Sequence, residues 1–357
     1  MVLKKDPRPI NIIGNAAPNT LAQALWDYRK THTQAEVDSF VSKIRIYENG
    51  AQGAEGAWIL YNFPKMHWVR SNWQTYAYMG GGDNWQGEKG PYCWEPYPNT
   101  DSGQHKWTAE HVQNNHGALG KLYPDRYNGS YFIEGGGTAP WIGLVQRGIY
   151  DPDHQDWGGW GGRYSKEKKL NVWSRHGQVK PIEKDKFTPF YCYTEVADTW
   201  KDPIYGKTYT SINTPVFRWR RHMLNDFRAR MDWCIKSYAD ANHHPVAAVG
   251  GDTTNSVIYR NAGQGKPLTL DASASMDPDD DQLRYNWYVY KEVGTYTGTV
   301  AIQNATSASA TFGIPDNSAG KDFHVILEVS DTSNIIPLYD YRRIIVSITE
   351  QTCLTQK

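Results

Sequence analysis

The residues best placed to do chemistry are an unusual run, Asp156-Trp157-Gly-Gly-Trp160-Gly-Gly-Arg163. Two indoles sit on a backbone that glycine leaves free to turn, beside a carboxylate and a guanidinium. Such a loop would lay Trp157 and Trp160 against sugar rings while Asp156 or Arg163 bonds the hydroxyls. The alternative stays open that the glycines let both indoles fold inward and plug the domain. Asn15, Asn19, Glu48, Asn49 and Gln52 follow predicted strands, where polar side chains meet ligands in α/β folds, although each also suits a turn or a cap. Glu134, in a Gly-rich loop, is the candidate catalytic acid or base, its partner carboxylate unidentified. Asp277, Asp279 and Asp281 offer oxygens that suit either a tight turn or calcium. His111 and His116 are weak metal candidates, because five positions is not same-face helical spacing.

Composition narrows the classes. The 357 residues carry 38 Lys plus Arg against 38 Asp plus Glu, so no net field gathers nucleic acid or an anionic membrane. Fifteen Trp, 24 Tyr and 32 Gly favour carbohydrate, even with most of the aromatics assigned to cores. No apolar run is long enough to span a bilayer, and the first nine residues lack the apolar stretch of a secretory signal. The four cysteines are too few and too dispersed for a disulfide scaffold; a Cys234 to Cys353 bridge is one open pairing.

The elements that must hold these residues divide the chain in two. Pro9 to Ile13 reads as a strand, and Leu21, Leu25 and Tyr28 as a helical stripe. Thr33-Gln-Ala-Glu36 has capping-box form before a helix through Lys43. Strand Ile44 to Tyr47, helix Ala57 to Phe63 and strand Met66 to Val69 continue the alternation, which predicts a parallel sheet with function at its strand carboxyl ends. Residues 80 to 210 read as long ordered loops with few elements. Thr214-Pro215 opens a helix whose stripe, Trp219 to Tyr238, is expected to close the first domain. From Val246 onward, short alternating strands predict a β-sandwich. The domains expected are therefore 1–241 and 242–357.

The segment Leu270-Asp-Ala-Ser-Ala-Ser-Met-Asp-Pro-Asp-Asp-Asp-Gln-Leu-Arg-Tyr-Asn-Trp287, answered by Phe323 to Asp331, resembles the PKD-type immunoglobulin-like module, with Trp287 pointing into its core. Over nearly its whole length the chain is similar to the secreted cellulose-binding family with a nucleoside-hydrolase-like domain. The matching words are Asn19-Thr-Leu-Ala-Gln-Ala-Leu25, His116-Gly-Ala-Leu-Gly-Lys-Leu-Tyr-Pro124, Asp151 to Tyr164 and Asn225-Asp-Phe-Arg-Ala-Arg-Met-Asp-Trp233. This resemblance implies a partial nucleoside-hydrolase-like α/β domain followed by an immunoglobulin-like sandwich, secretion, and a polysaccharide ligand.

Departures from the family matter too. Nothing before Pro9 matches the leading strand whose aspartates bind calcium in nucleoside hydrolases, so either a second chain or second copy is expected to complete the sheet, or the sequence is a piece of a longer protein. Gly53 and Ala54 follow Gln52 where relatives carry acids, and Glu134 stands where they offer aspartate. The reading expected is a carbohydrate-binding protein of polysaccharide breakdown; a glycosyl or N-ribosyl hydrolase completed by a partner, and a surface adhesion protein, are the alternatives.

Overall fold

The computed structural model describes residues 6–15, 17–49, 55–71, 74, 105–123, 138–145, 148–169 and 190–350. In chain order its elements are β1 (Ile10–Gly14), α1 (Asn19–Thr31), α2 (Gln34–Val41), β2 (Ile44–Asn49), α3 (Glu55–Asn62), β3 (His67–Ser71), α4 (His105–Thr108), α5 (Gly117–Leu122) and α6 (Thr138–Val145). These are followed by β4 (Tyr164–Lys169), β5 (Phe190–Glu195), β6 (Asp198–Lys201), β7 (Thr208–Ser211), α7 (Thr214–Phe217) and α8 (Arg220–Trp233). The rest is β: β8 (Ile258–Gly263), β9 (Pro267–Asp271), β10 (Arg284–Gly294), β11 (Ala301–Gln303), β12 (Ser309–Gly313), β13 (Asp322–Ser330) and β14 (Tyr339–Thr349). Two compact units result, one of residues 1–100, 132–145 and 152–219, the other of residues 101–131, 146–151 and 220–357.

The first unit is built on a five-stranded sheet in the order β1-β2-β3-β5-β4. Strands β1, β2, β3 and β5 run parallel and β4 antiparallel. Side chains alternate across a strand. Ile44 and Ile46 therefore join Trp68 under Leu25 of α1, Val37 and Val41 of α2, and Ile59 and Leu60 of α3 in one core. The capping box forms as its residues predict: Glu36 N–H donates to Thr33 Oγ1, and Thr33 N–H to Glu36 Oε2. Strands β4 and β5 lie within the stretch read as loops. Tyr164-Ser-Lys-Glu-Lys-Lys169 lacks the apolar run of a buried strand, whereas Phe190-Tyr-Cys-Tyr193 is a short apolar run that becomes a strand by pairing with β3.

In the second unit, β10-β13-β14-β8 form one sheet and β11-β12-β9 another. Both contribute to a single core, in which Trp287 of β10 meets Phe312 of β12 edge-on at 6.1 Å. Trp287 is 1% exposed and its Nε1–H donates to Ser307 O, so a buried polar atom is satisfied. The helical stripe expected to close the first domain is interrupted between α7 and α8. Helix α8 belongs to the second unit, where Ala229 packs on Ile336 and Leu338 and Trp233 Nε1–H donates to Asn242 O. The loop before β14 therefore covers the Ala229 side of the helix. Cys234, beyond the end of α8, is a free thiol; Cys353 lies outside the described residues. No helix among the described residues is long and apolar enough to cross a membrane.

Two outcomes are expected from this packing. Leu327 is fully buried at the centre of β13, so Leu327→Ala should cost about 2–5 kcal/mol in denaturant unfolding. In the first unit, burial, with Arg45 and Lys166 nearby, holds the His67 imidazole down to about 4. Its Nε2 is enclosed without a hydrogen-bond partner. Between about 4 and the ordinary 6.5 the unfolded chain binds more protons than the folded one, so this stability is complete above 6.5 and drains as pH falls towards 4. Denaturant titrations of the wild type should lose on the order of 3 kcal/mol over that window through this group, and His67→Phe should flatten the slope.

Candidate functional site

A parallel register brings the carboxyl ends of β2, β3 and β5 to one side of the sheet, and buried polar groups gather there. On the helical face, Glu48 ends β2 with no exposure at all. Its Oε2 accepts Trp68 Nε1–H at 3.0 Å and Arg70 Nη1–H at 3.1 Å. Its Oε1 is enclosed without a partner, facing Gly56 at the start of α3, where a Cβ would come within 2.9 Å. A glycine is what gives that oxygen its room. Asn49 is buried beside it at the strand end. The sequence places Glu48 and Asn49 in a loop; the structure makes them the last residues of a strand, and Glu48 is half of a buried ion pair.

On the opposite face the network is denser. Glu195 Oε1 accepts Ser71 Oγ–H at 3.0 Å and the Gln74 backbone N–H at 2.7 Å. The Gln74 side chain donates to Arg163 O and Val196 O and accepts from Arg163 N–H. Tyr164 O–H lies within hydrogen-bonding distance of Ser71 Oγ and Gly161 O, and Tyr47 O–H of Gly161 O and the Tyr164 hydroxyl. Burial pushes the Tyr164 phenol well above its ordinary value, so it serves as a neutral hydroxyl. Ser71, Gln74, Glu195, Tyr47 and Tyr164 were not singled out from sequence. Strand carboxyl ends were the signal that could have found Ser71 and Glu195, once β5 was recognised as a strand.

The Gly-rich loop runs over this same face. Asp153 pairs with Arg45 near the amino end of β2, and eight residues later Gly161 O meets Tyr47 near its carboxyl end. Positive φ at Gly158 (76°) and Gly162 (99°) lets the main chain lie close, and a Cβ at Gly162 would overlap Gln74 Oε1. That closeness corrects two expectations. Trp160 is 3% exposed and fills the interior, because the glycines around it bring the loop down onto the sheet. Arg163 donates to Asp198 Oδ1 at 2.7 Å and to Ala197 O, so its guanidinium anchors β6 and is not free for a ligand. Trp157 is different. It is half-buried and stacks on His154 at 3.7 Å with 5° between the rings, and His154 and Asp156 stand well exposed beside it.

The other expected positions are scattered. Asn15 is exposed after β1. Asn19 is the first residue of α1 and donates to Glu55 Oε1 at 3.4 Å. Gln52 and Glu134 lie outside the described residues. In the second unit, Asp277 Oδ1 accepts the Asp279 and Asp281 amides and Asp279 pairs with His243, so these carboxylates hold a turn. His116 spans Asn114 O and Asp232 Oδ1, while His111 packs edge-on against Trp107. Among the described residues no group of three or more His, Cys, Asp or Glu is placed to hold a metal ion.

Residues 1–164 match the family model of the nucleoside hydrolase-like domain of cellulose-binding Sde182, and residues 267–348 that of the C-terminal domain of cellulose-binding protein Sde0182. No curated protein matches significantly. Among solved structures, a nucleoside hydrolase-related protein from Saccharophagus degradans, associated with carbohydrate metabolism, is 34% identical. The match covers 98% of this chain and 73% of that one, with a TM-score of 0.77. The endo-fucoidan hydrolase MfFcnA4 (18% identity, 31% of this chain and 14% of that one, TM-score 0.21) gives a partial likeness that carries no argument. The same holds for the PKD domain of human KIAA0319 (8% identity, 34% and 96%, TM-score 0.23). With both ends matched in order and one solved relative aligned almost throughout, the chain belongs to the Sde182 family of cellulose-binding proteins, with a nucleoside hydrolase-like domain and a mostly-β C-terminal region.

Proposed function

We propose that this chain is an extracellular carbohydrate-binding protein of polysaccharide breakdown, with cellulose or a related plant glycan as its ligand. The observation that carries the reading is the Trp157–His154 stack with Asp156 at its side, on a loop that the sheet holds still. A pyranose presents apolar C–H faces and equatorial hydroxyls. A ring stack answers the first and a carboxylate the second. Because the loop is already ordered by Gln74, Tyr47 and Arg45, little conformational entropy remains to be lost on binding. Membership of a cellulose-binding family supports the same ligand class. The C-terminal unit, read as an immunoglobulin-like sandwich, serves as spacer or accessory module.

A second reading rests on Glu48. A fully buried carboxylate with one unpartnered oxygen, at the carboxyl end of a parallel sheet, stands where α/β enzymes place reacting groups. Under it the chain is a glycosyl or N-ribosyl hydrolase, and release of reducing sugar or free base would be lost in Glu48→Gln.

Adsorption to insoluble cellulose separates the roles of the two indoles. Trp157→Ala should weaken retention about tenfold, the equivalent of about 1.4 kcal/mol, with little change in melting temperature. Trp160→Ala should instead cost about 3–5 kcal/mol of stability, since it empties an enclosed site. Retention by Trp157→Ala equal to that of wild type would remove the loop from the binding surface.

A further inference from the structure

The β6–β7 hairpin joins the strand-end network at its base, through Arg163, and ends in a turn held by its own hydrogen bonds. At its base Asp198, 1% exposed, accepts from Arg163 at 2.7 Å and from Arg218 at 3.3 Å. At its tip Asp202, 2% exposed, folds its Oδ1 back onto the Ile204 and Tyr205 amides at 2.7 and 3.1 Å. Two backbone bonds, Asp202 N–H to Lys207 O and Gly206 N–H to Asp202 O, close the turn, and Gly206 takes a φ of 69° to allow it. What this turn presents is apolar: Ile204 is 54% and Tyr205 42% exposed. A single exposed apolar side chain is ordinary. Two neighbours on a tip pinned by a buried carboxylate are a surface prepared in advance.

The strands behind the tip sort by alternation. Trp200 and Tyr209, paired across the hairpin, stack at 6.2 Å on one face. Thr199 with Thr210, and Lys201 with Thr208, therefore share the other face, and all four are exposed. The outward face is thus a short strip of hydroxyls and one ammonium leading to an aromatic tip. It spans about 7 Å of strand at about 3.3 Å per residue.

We propose that this hairpin is a second polysaccharide contact, taking one sugar ring against Tyr205 and Ile204 while the glycan chain lies along the threonine hydroxyls. The ligand class is a neutral, hydroxyl-rich β-glucan. Tyrosine and isoleucine supply stacking area, the strip supplies hydrogen bonds, and the carboxylates of Asp198 and Asp202, being buried, leave no anion on the strip to repel a sugar or to demand a cation. The inference rests on the carbohydrate-binding reading above but uses a different element.

The test is adsorption of the full chain to microcrystalline cellulose, together with its retardation in native gels containing hydroxyethyl cellulose. Wild type, Trp157→Ala, Tyr205→Ala and Tyr205→Phe are compared, each first checked for an unchanged melting temperature. Tyr205→Ala should bind three- to tenfold more weakly and Tyr205→Phe nearly as wild type, because the ring and not the hydroxyl makes the contact. A Tyr205→Trp variant should show a shift in its indole emission on adding soluble glucan. If wild type binds and Tyr205→Ala binds equally, the hairpin proposal falls while the carbohydrate reading stands. If wild type binds no glucan, both fall. Weakening by Tyr205→Ala that 0.5 M salt mimics in the wild type, with preference for an anionic polysaccharide, would overturn the neutral ligand class.

Discussion

The constraint on which the first unit turns is that polar groups buried at the carboxyl ends of parallel strands must find partners there or lose the cost of leaving water. Gln74 meets most of that demand. Its amide satisfies two carbonyls and one N–H of the neighbouring loop and strand, and its own backbone N–H goes to Glu195, which also holds Ser71. One side chain thereby ties the end of β3 to β5 and to the Gly-rich loop. Opposite it, Glu48, Arg70 and Trp68 settle their own polarity between β2 and β3, apart from a single oxygen.

The Gly-rich loop follows from the same demand. To bring Gly161 O to Tyr47 and the Arg163 backbone to Gln74, the chain must lie closer to the sheet than any Cβ permits at Gly162. That descent buries Trp160 and commits Arg163 to β6, while the short helical turn at residues 155–157 keeps Trp157 and His154 towards solvent. Burying one indole and presenting another are two results of a single backbone path. They also differ in consequence, since a filled interior contributes packing stability that a half-buried ring contributes less of.

The second unit obeys a different rule. Its two sheets share one core around Trp287 and Phe312, and the acidic turn before β10 is a backbone device in which Asp277 accepts two amides. Helix α8 packs Ala229 and Trp233 within this unit, on Ile336 and Leu338, although its sequence alone looks like the end of the preceding α/β pattern.

Much of this was legible in the residues. Apolar periodicity and the capping box at Thr33 located α1 to α3 and β1 to β3, because local patterns are set by neighbours in the chain. The position of Trp287 and the turn chemistry of Asp277 were legible for the same reason. Strand β5 was not, since its short apolar run, Phe190-Tyr-Cys-Tyr193, does not by itself reveal its partner: Ser71 at the end of β3 and Glu195 at the end of β5 are 124 positions apart. The fates of Trp157 and Trp160 could not be separated either: one motif, three residues apart, leaves both directions open. Only the sheet beneath, which draws the backbone down at Gly161 and Gly162, decides which indole is enclosed and which stays half-buried.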